Sequence, residues 1–252
     1  MVFTVSSVVL SFALGIAVSN IYISTMKTLG KGFYLMMNLI AIGFIFLSFI
    51  STDITLIKVI DIVASLSIGI LILYLYNNHK IFSLRPALLQ NIFYVFTIIL
   101  LVSTLVLEAK NTANISNIFF EIIRLITGAL LLGGSLTAML LGHWYLIQPG
   151  LNRQPIKKMS ELCLIVLIIV ALGWLFKPSM LQVFTGTIDD GWQGMLANMW
   201  LAATLTSLVI LLMARKALSE RSYSAVMATT GLLYLVILLA AGVELIPRSI
   251  FS

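Results

Sequence analysis

The sequence predicts an all-α, polytopic integral membrane protein, with about eight transmembrane helices in a single transmembrane domain that spans residues 1–252. Three observations predict this fold class. Of the 252 residues, 61% are hydrophobic and only 10% are charged, whereas a soluble domain has about 45–50% apolar and about 25% charged residues. The mean hydropathy is +1.12. The apolar residues also occur in long runs, so a soluble enzyme, a disordered chain and a disulfide scaffold are all excluded.

Each predicted helix is an apolar run of roughly the length that crosses a bilayer. About 20 apolar residues are needed, and an open backbone has no other stable form in lipid. The predicted spans are residues 3–24, 32–50, 54–76, 90–107, 117–148, 160–176, 194–213 and 224–246. The first span is interpreted as a retained helix, because Asn20 and Tyr22 lie where a signal peptide would need small residues. Only the connection over residues 178–193 is long enough to fold over a membrane face.

The basic residues of the connections predict the orientation in the membrane. Connections after odd-numbered spans carry ten Lys and Arg residues, whereas the other side carries three, Lys110, Lys177 and Arg248. Because short cytoplasmic loops are enriched in Lys and Arg, both termini are expected outside. The protein is therefore expected to be a multi-pass protein of a bacterial or archaeal cytoplasmic membrane. The expected partner is the lipid bilayer. No nucleic-acid partner is expected, because the basic residues are scattered between helices.

Charged residues inside the third and fifth spans form the first candidate site. Lys58 and Asp61 are three residues apart on the third span, and Glu121 and Arg124 have the same spacing on the fifth. Residues at this spacing share a helix face, and ionisable groups inside a bilayer are costly enough to indicate function. Both spans run in the same direction, so all four residues are expected near the outer leaflet. They form either a structural ion-pair network or a site at which carboxylates exchange protons.

The fifth span is also expected to be central in the bundle. Small residues recur along one face of it at alternating spacings of three and four, including Gly128, Ser135, Ala138 and Gly142. A row of small residues lets a neighbouring helix approach closely.

The second candidate site lies toward the cytoplasmic leaflet. The chain has only two histidines, His79 and His143, and His143 is followed by Trp144 and Tyr145. Imidazole is an axial ligand of b-type haem and a hydrogen-bond partner for a quinone carbonyl. His79, His143, Trp144 and Tyr145 are therefore the candidate cofactor-binding residues. The alternative is an ordinary interfacial aromatic belt.

Motifs for other chemistries are missing from the sequence. There is no Cys-x-x-Cys-His for covalent haem, and the single Cys163 cannot hold an iron–sulfur cluster. No other metal centre is expected from two His and one Cys. The adjacent Asp189 and Asp190 are expected to be solvated in an outer loop.

Three hypotheses of function remain open. The first is a membrane subunit of an electron-transfer or respiratory complex, which contacts a quinone, a b-type haem or both beside other membrane or peripheral redox subunits. Such a subunit is at most a quinone-reactive part of an oxidoreductase. The second is a small proton-coupled transporter or channel, in which Asp61 and Glu121 handle protons. The third is a structural or assembly subunit without chemistry of its own; a lipid-modifying enzyme is a more distant alternative.

Overall fold

The protein is an all-helical bundle, as the composition predicts. The computed structural model describes residues 4–76, 86–112, 118–148, 150–192, 194–220 and 222–250, and within these ranges there are nine helices and no strand. The helices are α1 Val5–Ser24, α2 Lys31–Ser51, α3 Thr55–Tyr76, α4 Pro86–Thr112, α5 Ile118–Ile147, α6 Gln154–Leu175, α7 Pro178–Phe184, α8 Met195–Ala217 and α9 Tyr223–Ile250. All except α7 are long and apolar enough to span a membrane. The chain is thus an integral multi-pass membrane protein with eight candidate spans.

The eight long helices form two four-helix rings. In the first ring α1 packs on α2, α2 on α3, α3 on α4, and α4 back on α1. In the second, α5 packs on α6, α6 on α8, α8 on α9, and α9 back on α5. Both halves of the chain therefore have the same order of neighbours, although no internal repeat is visible in the sequence. We call them the first bundle (α1–α4) and the second bundle (α5, α6, α8 and α9).

The two bundles meet along α1 and α5, where the backbones come into contact. A side chain on Gly15 would collide with the backbone of Ala129 and Gly133. The small face of α5 also receives α9, since Gly128 lies directly against the carboxylate of Glu244 and Gly142 lies against Thr230. As the small-residue pattern predicts, α5 is central and contacts α1, α6 and α9.

The start of α1 and the end of α9 lie on one face of the bundle. α1 begins at Val5, where the Thr4 side chain caps the helix by accepting from the Ser7 amide. The end of α9 is beside this turn, because Arg248 contacts Ser7. The side where α1 begins is called the outer face below, following the orientation predicted from the basic residues.

Four helices extend well beyond the predicted spans. α4, α8 and α9 continue four or five residues past their predicted ends, at 107, 213 and 246, and α6 begins six residues before its predicted start at 160. The extensions contain charged residues, which a hydropathy pattern assigns to loops. Glu108 and Arg248, which follow the predicted ends of their spans, thus belong to α4 and α9 and are buried. The connection after α6 contains the short helix α7, which begins at Pro178.

Candidate functional site

Asp61 is a buried carboxylate of the first bundle. It is 1% exposed, on the outer half of α3. Its Oδ2 accepts a hydrogen bond of 2.8 Å from Ser48 of α2, and its Oδ1 has no hydrogen-bond partner among the described residues. Lys58 lies one turn earlier and is half-buried, with its Nζ 5.8 Å from the centroid of the Phe49 ring. The cation thus faces an aromatic ring at the helix end.

Arg124 lies in the second bundle, away from Asp61. Its guanidinium lies 4.7 Å from the centroid of Trp174 on α6, and the Nζ of Lys177 lies 5.2 Å from the same indole ring. α5 packs mainly on α1, α6 and α9, whereas α3 packs on α2 and α4. The predicted four-residue cluster is therefore divided between the bundles. Glu121 belongs to α5, but its side chain lies outside the described residues, so its role stays a prediction.

A second buried carboxylate, which sequence reasoning missed, joins Asp61 in the first bundle. Glu108 of α4 is 4% exposed, and its Oε1 accepts hydrogen bonds from Thr4, at 2.7 Å, and from Ser6. Asp61 and Glu108 lie in the outer halves of α3 and α4, two helices that pack on each other. The outer half of the first bundle thus has two buried acids, held by hydroxyl groups from α1 and α2.

Polar side chains continue from these acids toward the opposite face. At mid-height the hydroxyl groups of Thr97 and Ser67 lie 3.1 Å apart. Further along, Asn38 Oδ1 accepts hydrogen bonds from the Tyr94 hydroxyl, at 2.9 Å, and from Asn20 Nδ2, at 3.5 Å. All five of these side chains are buried. Nearest the opposite face, Ser24 donates to Asn91 Oδ1 at 3.0 Å. These polar residues come from all four helices of the first bundle. We call them the polar line, which consists of Asp61, Glu108, Ser67, Thr97, Asn38, Tyr94, Asn20, Ser24 and Asn91.

The second bundle contains a buried ion pair on α9. Arg248 Nε donates to Glu244 Oε1 at 2.9 Å, and the two side chains are 2% and 0% exposed. The guanidinium also reaches the hydroxyl groups of Ser7 and Ser11 on α1, each at 3.5 Å. Since Ser6 donates to Glu108, neighbouring serines of one helical turn contact the charged groups of the two bundles.

The aromatic residues of the second candidate site point in different directions. His143 is exposed and Trp144 is half-buried, with the Trp144 ring edge-on to Phe33 at 6.0 Å between centroids. Tyr145 is buried, and its hydroxyl donates to the backbone carbonyl of Asn152. His79 lies outside the described residues. The structure therefore gives no distance between the two histidines, and haem or quinone binding stays a prediction.

Asp190 has a structural role that its sequence position did not suggest. It is buried at the outer face, whereas its neighbour Asp189 is exposed. Its carboxylate accepts hydrogen bonds from four backbone amides at the start of α8, those of Trp192, Gly194, Leu196 and Ala197. Burial raises the pKa of Asp190, but the amide hydrogen bonds outweigh it and hold this pKa below its ordinary value. The loop also lines a cavity of about 380 Å³, next to Phe184 and Asn198.

The missed residues have a recognisable signal in the sequence. Ser7 and Ser11 are four positions apart and therefore share a helix face, and hydroxyl residues are too mildly polar to interrupt an apolar span. Glu108 lies one residue beyond the predicted end of the fourth span. Comparison with protein-family models, with curated proteins and with solved structures found no match to this chain.

Proposed function

We propose that the protein is a small proton-coupled transporter or proton channel that works through the polar line of the first bundle. The observation that carries this proposal is the pair of buried carboxylates, Asp61 and Glu108, on two helices of one membrane bundle. Ionisable residues within membrane spans are rare and typically mark ion pathways or proton relays. Here two of them lie buried on adjacent helices of one bundle, which a purely structural role does not require.

The surroundings of the two acids are suited to accepting and releasing protons. Two negative charges held close together in a medium of low dielectric repel each other, and a proton bound by either carboxylate relieves that repulsion. Hydroxyl groups contact both acids: Ser48 at Asp61, and Thr4 and Ser6 at Glu108. A hydroxyl group both donates and accepts, so it stabilises a charged carboxylate and also serves a protonated one.

The rest of the polar line provides groups of the same kind across the membrane. Thr97, Ser67 and Tyr94 have hydroxyl groups, and Asn38 and Asn20 have amides. Each of these groups can donate and accept a hydrogen bond. Within each of two groups, Thr97 with Ser67 and Asn38 with Tyr94 and Asn20, the side chains lie within hydrogen-bonding distance. Such close packing suits a proton better than a large solute. In this proposal protons enter at the outer face and pass along the line toward the end of α1.

Proton flux into liposomes tests the proposal. The purified protein is reconstituted with a pH-sensitive dye inside, and a potassium gradient with valinomycin drives protons inward. The protein should acidify the lumen faster than protein-free liposomes do. Glu108→Gln and Asp61→Asn should each lower the rate about tenfold or more, since removing a proton-transfer group has effects of that size or larger.

Glu161→Gln is the matched control for loss of a carboxylate. Glu161 pairs with Lys158 and Arg215 on the second bundle, each at 3.5 Å, and has no contact with the polar line. This variant should keep the rate of the unmodified protein. A rate equal to that of empty liposomes, or an unchanged rate in both acid variants, would contradict the proposal.

Electron transfer is a second proposal, and it depends on His143. This side chain is exposed on a membrane-spanning helix, one residue before the half-buried Trp144. An exposed imidazole is available to a quinone in the bilayer or to a redox subunit docked against α5. The test is a reduced-minus-oxidised absorption spectrum of the natively extracted protein, together with quinone content. Loss of bound haem or quinone in His143→Ala supports the role, and a preparation without either contradicts it.

A further inference from the structure

The inner half of the polar line contains a fully buried polar site between three helices. Asn20 of α1 and Asn38 of α2 are both 0% exposed, and Tyr94 of α4 is 1% exposed. The Tyr94 hydroxyl donates to Asn38 Oδ1 at 2.9 Å, and Asn20 Nδ2 donates to the same oxygen at 3.5 Å. A single amide oxygen thus accepts from two partners.

The two amides keep one acceptor and one donor that these contacts do not use. Asn20 Oδ1 and Asn38 Nδ2 are buried and have no hydrogen-bond partner among the described residues. Leaving such groups unsatisfied inside a bilayer is energetically costly. Turning both amides over exchanges their roles but still leaves an oxygen and an NH2 group in need of partners. The site therefore calls for a ligand that donates to one amide and accepts from the other.

We propose that Asn20, Asn38 and Tyr94 bind a water molecule. Water is the smallest ligand that supplies a donor and an acceptor together, and buried waters typically make about three hydrogen bonds to otherwise unsatisfied groups. It donates to Asn20 Oδ1 and accepts from Asn38 Nδ2, with Tyr94 as the third neighbour.

This water would also pass protons through the inner half of the first bundle. That role rests on the proposed function. Amides are poor proton carriers, whereas water accepts one proton and releases another. A water between the two amides gives the Tyr94 hydroxyl a partner that exchanges protons. The path then runs from Asp61 and Glu108 through the hydroxyl groups at mid-height to this site.

Radiolytic labelling detects the water directly. Intense X-rays convert bound water to hydroxyl radicals in place, and a radical formed beside Tyr94 adds its oxygen to that ring. In ¹⁸O water, Tyr94 should be labelled several-fold faster than Tyr145. The comparison is stringent because Tyr145 is also buried but has the Asn152 carbonyl as a protein partner. Labelling of Tyr94 no faster than that of Tyr145 overturns the proposal, and this comparison needs no variant.

The variant Asn38→Leu tests the water site independently of the proposed proton transport. The variant keeps the side-chain size but removes the amide, so labelling of Tyr94 should fall to the Tyr145 rate while Tyr145 itself is unchanged. An unchanged Tyr145 rate also shows that the fold is intact. If Tyr94 is labelled in the unmodified protein but the protein carries no protons, the water site stands and the proposed function fails. If Tyr94 is not labelled, the water site fails whatever the proton flux.

Discussion

The guanidinium of Arg248 lies 3.5 Å from the hydroxyl of Ser7, although 241 positions separate the two residues in the chain. This contact joins the last helix to the first turn of α1. It comes from the same guanidinium that pairs with Glu244, so the second bundle's ion pair is anchored on a helix of the first bundle. The two charged residues of α9, Glu244 and Arg248, thus neutralise each other inside the bundle.

The first prediction concerns the buried ion pair. Arg248→Met should lower the free energy of unfolding by about 3–5 kcal/mol, because it leaves Glu244 buried without its cation. The double variant Glu244→Gln with Arg248→Met should recover much of this loss, since no buried charge remains. Denaturant unfolding in detergent, followed by tryptophan fluorescence, measures both values.

An exposed arginine provides the control for this pair. Arg215 contacts Glu161 at 3.5 Å, but its side chain is 54% exposed, and surface pairs contribute about 0–1 kcal/mol. Arg215→Met should therefore change stability by less than about 1 kcal/mol. Equal losses in the two arginine variants would show that the buried pair has no special role.

The second prediction concerns the junction of the bundles. Gly15→Ala should destabilise the protein by about 1–3 kcal/mol or more, because the added methyl group meets rigid backbone rather than a side chain that can move. Gly43→Ala is the control: no atom lies within 4 Å of its added carbon, and alanine is favoured over glycine in a helix by about 0.5–1 kcal/mol. Thermal unfolding should thus shift in opposite directions in the two variants.

How much of this could be predicted depends on the range of the interactions involved. The eight spans follow from chain length and apolar runs, which are local properties, and the central place of α5 follows from glycine spacing. The ends of α4 and α9 could not be predicted in this way. A buried charge is stabilised by partners from other helices, as Glu108 is by Ser6, and these two residues are 102 positions apart in the chain.

In the candidate site, too, local features could be predicted from the sequence and long-range contacts could not. Asp61 was recognisable because it interrupts an apolar span, but its neighbour Glu108 lies 47 positions later, at the edge of the next span. The expected grouping of Lys58 and Asp61 with Arg124 assumed that α3 and α5 pack together. Which helices are neighbours depends on how their surfaces fit, here on the close contact of Gly15 with Gly133. The positions of charged residues in the sequence do not predict this fit.

The third prediction compares two residues near the end of α5, Tyr145 and His143, which lie two positions apart. Tyr145→Phe removes the hydroxyl that donates to the Asn152 carbonyl and should cost about 1 kcal/mol, the usual net value of a hydrogen bond. His143→Ala should change the free energy of unfolding by less than about 0.5 kcal/mol, as is usual for an exposed position. A large loss for His143→Ala alone would mean that the imidazole is held by a bound group. Unfolding curves with and without extracted lipids would then identify it.

The last prediction is a pH dependence at the outer face. Four backbone amides hold the pKa of Asp190 below its ordinary value, which is about 3.9 in an unfolded chain. A group whose pKa is lowered on folding stabilises the fold above its unfolded pKa, and this contribution is lost as the pH falls through the folded pKa. The start of α8 should therefore stay closed at neutral pH and open only below about pH 4.

Hydrogen exchange at the amides of Leu196 and Ala197 measures this opening. Exchange there, corrected for the intrinsic effect of pH, should accelerate in acid, while Asp190→Asn should exchange faster already at pH 7 and lose the acid transition. Asp189→Asn is the control, because Asp189 accepts from Gly191 rather than from the helix start. If the two asparagine variants exchange alike, the amide cage around Asp190 does not hold α8.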